Sequence, residues 1–203
     1  MLFEIAEIVG IISFSLSGFY IGVRNNLDIL GIFISAFLTA LGGGIIRDTI
    51  IGIPPTSLVT ITPSIIVLFM IVLLILLKFH KKQDHDGKPL FVFIDSIGLA
   101  SFSIAGALIA IEHNFAISGV IIISFITALG GSIFRDILIN TIPYVLKGGF
   151  YGIISIIIGI LVYILHLYNL LNITYLTSLF LFGIALRWVA FKKEWKLITL
   201  NNS

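Results

Sequence analysis

Apolar residues run through this chain in long stretches, and the polar residues gather in short clusters between them. A helix rises about 1.5 Å per residue, so roughly 20 apolar residues cross the hydrocarbon core of a bilayer. Seven stretches approach that length: Ile5 to Val23, Ile29 to Ile51, Pro63 to Phe79, Leu90 to Ile111, Phe115 to Ile139, Gly149 to Leu167 and Ile173 to Phe191. Strands of a membrane barrel are shorter and alternate in polarity. The pattern therefore predicts an all-α membrane protein with seven transmembrane helices. Its sharpest polar interruption is Lys78 to Pro89, rich in Lys, His, Gln and Asp.

Within this background one motif occurs twice. Gly42-Gly43-Gly44-Ile45-Ile46-Arg47-Asp48 returns 88 residues later as Gly130-Gly131-Ser132-Ile133-Phe134-Arg135-Asp136, and eight of the ten positions from Thr39 to Asp48 are identical to those from Thr127 to Asp136. The same offset relates Ser13-Phe14-Ser15-Leu16-Ser17-Gly18 to Ser101-Phe102-Ser103-Ile104-Ala105-Gly106. A tandem duplication follows: repeat one over 1–79, a linker over 80–89, repeat two over 90–168, then a seventh helix and basic tail over 169–203. Each copy holds an odd number of spans, so the second enters the membrane upside down. The expected architecture is two inverted three-helix repeats plus a seventh helix, a plan that places a permeation or binding site near the midplane.

Composition and charge narrow the function. A mean hydropathy of +1.18, 59% hydrophobic and 11% charged residues lie far from the roughly one-quarter charged content of soluble domains. The lipid bilayer is the expected partner. A net charge of +2, carried at segment ends, excludes nucleic acid. Arg24, Lys78, Lys81, Lys82, Lys88, Lys147, Arg187, Lys192, Lys193 and Lys196 all fall on the side opposite the N-terminus, leaving only Arg47 and Arg135 of the twelve basic residues. The positive-inside rule then puts the N-terminus outside and the C-terminus in the cytoplasm. The chain has no cysteine, and His80, His85, His113 and His166 are scattered. Gly42 to Gly44 lacks the Lys-Ser/Thr ending of a phosphate loop. Neither an enzyme activity nor a cofactor nor a resident metal is expected.

The duplicated motif carries the candidate chemistry. Consecutive glycines at Gly42, Gly43 and Gly44, and the set Gly130, Gly131 and Ser132, can break a helix and bare carbonyl oxygens. Such oxygens replace part of a cation's hydration shell. The alternative is close helix packing through small residues. We expect the break. Arg47 and Asp48 lie about 100° apart around a helix, as do Arg135 and Asp136, so partners from elsewhere are expected. Arg47 facing Asp136 and Arg135 facing Asp48 is one arrangement, carbonyls freed at the opposite break another, and snorkelling to the headgroups a third. These four charges are assigned structural or gating roles, because an unneutralised arginine repels a cation. Thr39, Thr127, Ser15 and Ser103 are candidate pore-lining oxygens, against the plainer reading that such hydroxyls bond to their own helix. Glu7 and Asp95 correspond across the repeat and read as markers of span ends.

A seven-span chain with two copies of Gly-Gly-Gly-x-x-Arg-Asp in spans two and five resembles the trimeric intracellular cation channel family. The resemblance covers nearly the whole chain, and the shortness of the tail is similar to prokaryotic members. It implies a homotrimer in a prokaryotic cell membrane, each protomer with its own potassium-permeable pore beside the second and fifth spans. On matched positions Gly42, Gly43, Gly44, Arg47 and Asp48 form the first motif, and Gly130, Gly131, Ser132, Arg135 and Asp136 the second, which departs at Ser132. Potassium is then the permeating ion. A similar bacterial group with two three-span domains is linked to amino-acid transport, notably of glycine, and supplies the rival expectation of a secondary transporter. The seventh span favours the channel.

Overall fold

The computed structural model describes residues 2–79, 87–147, 150–195 and 197, with the backbone alone at 87, 88 and 147. Most of the expected linker, including His80, Lys81, Lys82 and His85, lies outside the described residues, as do Lys196, most of the tail and the Lys147 side chain. Among the described residues there are nine α-helices and no strand: α1 (Leu2–Arg24), α2 (Ile29–Ile51), α3 (Thr56–Val59), α4 (Thr62–Leu76), α5 (Gly87–Glu112), α6 (Ile117–Leu138), α7 (Tyr144–Lys147), α8 (Tyr151–Leu167) and α9 (Ile173–Lys192).

Seven of these coincide with the apolar stretches. Five of them, α1, α2, α5, α6 and α9, are at least 18 residues long and apolar enough to cross a membrane, whereas α4 and α8 are apolar helices of 15 and 17 residues. This is an integral, multi-pass membrane protein. The two short helices α3 and α7 are absent from the hydropathy pattern, since four residues give no periodicity. They follow Pro54-Pro55 and Pro143, where the ring fixes φ and removes an N–H donor.

Chain reversals obey the 88-residue spacing too. Asn26 (φ 54°) and Asn114 (φ 58°) adopt the left-handed conformation after α1 and α5, and Gly52 (φ 85°) and Asn140 (φ 56°) do so after α2 and α6. Asparagine and glycine visit this region at least cost, which ends a helix where they stand. Asp28 then starts α2, its Oδ1 accepting from the Gly31 N–H at 2.7 Å.

Four helices make the centre. α1 packs on α2, α2 on α6, α6 on α5 and α5 on α1. Outside this ring α4 lies on α1 and α2, α8 lies on α5 and α6, and α9 lies on α5 and α8. Reciprocal contacts join the halves: the Phe14 ring seats on Gly98 and the Phe102 ring on Gly10, and the rings meet edge-on with centroids 5.1 Å apart. Large apolar side chains such as Leu30, Phe69 and Leu138 point outward and are exposed, as a lipid-facing surface requires.

Candidate functional site

The glycine motif does not interrupt its helices. α2 and α6 run as continuous α-helix through Gly42–Gly44 and Gly130–Ser132, so the expected break, and the bared carbonyls that went with it, are corrected. The physical reason is the seam between these two helices. A Cβ on Gly42 would lie 3.0 Å from the Gly131 Cα, and one on Gly131 would lie 2.7 Å from the Thr39 carbonyl oxygen; a Cβ on Gly43 would overlap the Thr127 carbonyl. Gly130 faces the Gly43 Cα at 3.6 Å in the same sense. Helices embedded in lipid gain from such close backbone approach, with small residues making it sterically possible. Gly44 and Ser132 sit off the seam, where each borders a cavity.

The arginines also differ from the expected arrangement. Arg47 Nε donates to Oδ1 of its neighbour Asp48 at 2.7 Å, and Arg135 Nε donates to Oδ1 of Asp136 at 2.9 Å. Pairing across the repeats, Arg47 with Asp136 and Arg135 with Asp48, is thereby overturned. The helical angle between adjacent Cβ atoms misled because the long arginine stem curls back over the next position. Nor do the arginines snorkel: Arg47 is 0% exposed and Arg135 is 2% exposed.

Each aspartate has a second task. Asp48 Oδ2 accepts from the Thr56 N–H at 2.9 Å and Asp136 Oδ2 accepts from the Tyr144 N–H at 2.9 Å. These are the first residues of α3 and α7, whose N–H groups lack intrahelical partners. One carboxylate therefore joins an arginine at the end of a long helix to the start of the short helix eight residues on.

Beyond that shared core the two halves diverge. Arg47 Nη2 donates to Glu7 Oε1 on α1 at 2.9 Å, and its guanidinium lies 5.0 Å from the centre of the Phe3 ring. Arg135 Nη1 instead donates to the Thr39 hydroxyl on α2 at 3.1 Å. Asp95, the counterpart of Glu7, accepts from the Ser17 hydroxyl at 3.0 Å and hydrogen-bonds with the Tyr151 phenol. Among the described residues no ion pair joins Asp95 to Arg135.

A cavity of about 390 Å³ occupies this second half, lined by Asp95, Ser132, Arg135, Asp136, Tyr144 and Tyr151 and reaching Arg24 and Asn25 at the end of α1. In the first half the corresponding space, lined by Glu7, Ala40, Gly44, Asp48 and Ser57, holds only about 10 Å³, room for about one water probe. Glu7 and Arg24 mark opposite ends of α1, roughly 25 Å apart at helical rise.

The remaining expected oxygens stay within their own helices. Ser15, Ser103, Thr39 and Thr127 are buried and donate to the carbonyls of Ile11, Leu99, Ser35 and Ile123 at 2.6 Å each. Thr39 alone among them also accepts, from Arg135.

Residues that the pattern underrated include Glu7, which pairs with Arg47, and Asp95, which is buried on Ser17 and Tyr151; their 88-residue correspondence was the available signal. Arg187 is the larger surprise. Near the end of α9 it is 2% exposed, donates from Nη2 to the Tyr144 hydroxyl at 2.9 Å, and lies 4.8 Å from the centre of the Tyr151 ring. The cation is held over two aromatic faces, with no carboxylate in ion-pair contact among the described residues, and no sequence spacing announced it.

Comparison with known proteins follows the same division of the chain. A family model described as glycine transporter matches twice, over residues 4–81 and 92–167. The UPF0126 membrane protein YvgT of Bacillus subtilis is 33% identical, with 97% of this chain and 96% of that protein covered. Two solved TRIC channels superpose over almost their full length. One, studied for conductance through TRIC cation channels, is 31% identical over 100% of this chain and 99% of that chain, with a TM-score of 0.86. The other, a prokaryotic TRIC channel crystallised in 0.5 M KCl, is 30% identical over 97% and 99%, with a TM-score of 0.87.

Proposed function

The chain belongs to the family described by the glycine transporter model, in the branch that holds the prokaryotic TRIC cation channels, and on that premise we propose that it passes monovalent cations, potassium foremost, passively through each protomer. The observation that carries this reading is the set of buried charges on α2, α5 and α6, Arg47, Asp48, Asp95, Arg135 and Asp136, with a cavity of about 390 Å³ lined by Asp95, Arg135 and Asp136. Each arginine of the set is neutralised by its neighbouring aspartate, which removes the repulsion that a bare guanidinium imposes on a cation.

The route runs from the wide cavity past Ser132, Arg135 and Asp136, along the seam of Gly42, Gly43, Gly130 and Gly131, to Gly44, Arg47 and Asp48. Thr39, Thr127, Ser15 and Ser103 border it at mid-depth, and their hydroxyl oxygens, which donate within their own helices, keep lone pairs to offer a passing ion. We assign the architecture to seven spans in two inverted repeats, 1–79 and 90–168, with α9 outside the symmetry. The reciprocal seating of Phe14 on Gly98 and Phe102 on Gly10 supports this, since a two-fold relation makes contacts return in exchanged order. The asymmetry of basic residues supports an outer N-terminus and a cytoplasmic C-terminus. The likeness to TRIC channels supports a homotrimer in a prokaryotic cell membrane.

A second reading is a secondary transporter of a small amino acid such as glycine. The description of the family model favours it, and so do cavities of unequal size at opposite ends. Recordings from purified protein in a planar bilayer under a potassium and sodium gradient separate the two. Unitary current steps with a reversal potential displaced toward potassium are expected. Saturable glycine uptake into proteoliposomes without current steps overturns the channel.

A further inference from the structure

Glu7 and Asp95 stand 88 residues apart at equivalent places in the first helix of each repeat; Glu7 pairs with Arg47, and Asp95 lines one cavity with Arg135. Glutamate reaches one methylene further than aspartate. On the glutamate side the ion pair forms, with Arg47 Nη2 at 2.9 Å from Glu7 Oε1, and the adjoining space is about 10 Å³. On the aspartate side the acid is taken by Ser17 and Tyr151, Arg135 turns to Thr39, and the adjoining space is about 390 Å³. Resting on the cation-permeation reading above, we propose that the Arg47–Glu7 ion pair is the closed gate of the conduction route, and that the shorter acid at Asp95 keeps the opposite mouth from shutting in the same way.

The chemistry of the pair suits a gate. Arg47 is shared between Asp48 and Glu7, so one guanidinium occupies both carboxylates that would otherwise meet a cation at that mouth, and offsets half of their charge. Withdrawing it exchanges the arginine's charge for the ion's. Among the described residues Arg47 Nη1 is buried with no hydrogen-bond partner, and an unmade buried hydrogen bond weakens the state that contains it. Glu7 keeps 15% of its side chain exposed, so water reaches the pair from the Glu7 end.

The chain has no cysteine, so a single introduced thiol reports the state of each mouth independently of conduction. Ala40→Cys places it against the small cavity and Val92→Cys against the large one. With a membrane-impermeant methanethiosulfonate reagent, Glu7→Asp and Glu7→Gln are expected to raise the labelling rate at position 40 by roughly tenfold, equivalent to about 1.4 kcal/mol against the closed form. Asp95→Glu, whose longer acid reaches Arg135, is expected to slow labelling at position 92 by a similar factor. Bilayer recordings in parallel should show open probability rising with Glu7→Asp and falling with Asp95→Glu. Unchanged labelling in Glu7→Asp and Asp95→Glu overturns the gate even if Glu7→Gln fails to fold, and leaves the conduction reading standing should the unsubstituted protein conduct. Labelling that shifts as expected while no variant or parent protein carries current upholds the pair as the barrier closing that mouth and overturns conduction through it.

Discussion

Phe14 on α1 and Phe102 on α5 meet edge-on with ring centroids 5.1 Å apart, and each ring covers a glycine of the other's helix. A Cβ at Gly10 would lie 3.0 Å from the Phe102 Cγ, and one at Gly98 would lie 2.9 Å from the Phe14 Cγ. The two sites thus share one aromatic contact at the centre of the helix ring. Gly10→Ala and Gly98→Ala should each lower the thermal midpoint in detergent by a similar amount. The double variant should lose less than both shifts combined, because neighbouring sites with a common partner are not additive. Additive midpoints in that cycle would show the contacts to be independent.

The three glycines of the first motif are not equivalent. At Gly43 an added methyl meets the Thr127 carbonyl, whereas at Gly44 the nearest atom is Arg47 Nη2 at 3.7 Å. Gly43→Ala should sharply reduce the yield of folded protein, while Gly44→Ala and Gly44→Ser, which copy the space filled by Ser132, should be tolerated. Size-exclusion profiles of the three purified variants test the contrast. Equal behaviour would remove the seam as the reason for the motif.

Asp48 and Asp136 each hold an arginine and the first N–H of a short helix. Breaking a buried pair by deleting one partner costs about 3 to 5 kcal/mol. Asp48→Ala and Asp136→Ala should therefore destabilise by that order in chemical unfolding, and increased proteolysis near Thr56 or Tyr144 should accompany the loss. A variant as stable as the parent would show that the carboxylate contributes no net stability.

Arg187 lies against the Tyr144 and Tyr151 rings and donates to the Tyr144 hydroxyl. Arg187→Lys keeps the charge but loses the planar face presented to Tyr144 and Tyr151. A loss of about 1 to 2 kcal/mol is expected, in the range of a desolvated cation–π contact and its hydrogen bond. Tyr151→Phe, which keeps the ring, should spare the stacking and disturb only the bond to Asp95. Equal losses in the two variants would assign the effect to Asp95 instead.

Hydropathy and length made the long helices legible, because a span's need for satisfied backbone leaves few alternatives. The Thr39–Asp48 duplication likewise pointed to α2 and α6 as the paired centre. What the glycines do there was not legible from composition alone. A run of small residues permits either an unwound turn or a close approach, and the carbonyls of Leu38, Thr39 and Thr127 on the facing helices decide it. The arginine partners were misjudged because a helical wheel records where Cβ points and ignores the reach of a long stem. Tyr144, Tyr151 and Arg187 come from α7, α8 and α9, so their meeting depends on tertiary packing that no local spacing encodes.

The carboxylate of Asp48 grips two things at once, the guanidinium one residue before it and the amide of Thr56 beyond the bend. Between them α2 turns through Gly52 into α3, and α4 begins three residues after α3 ends. The carboxylate thereby ties the start of α3 to the last turn of α2, as a pin ties a crank to its shaft. Asp136 builds the same linkage between α6 and α7, so the molecule carries one such crank on either side of the glycine seam.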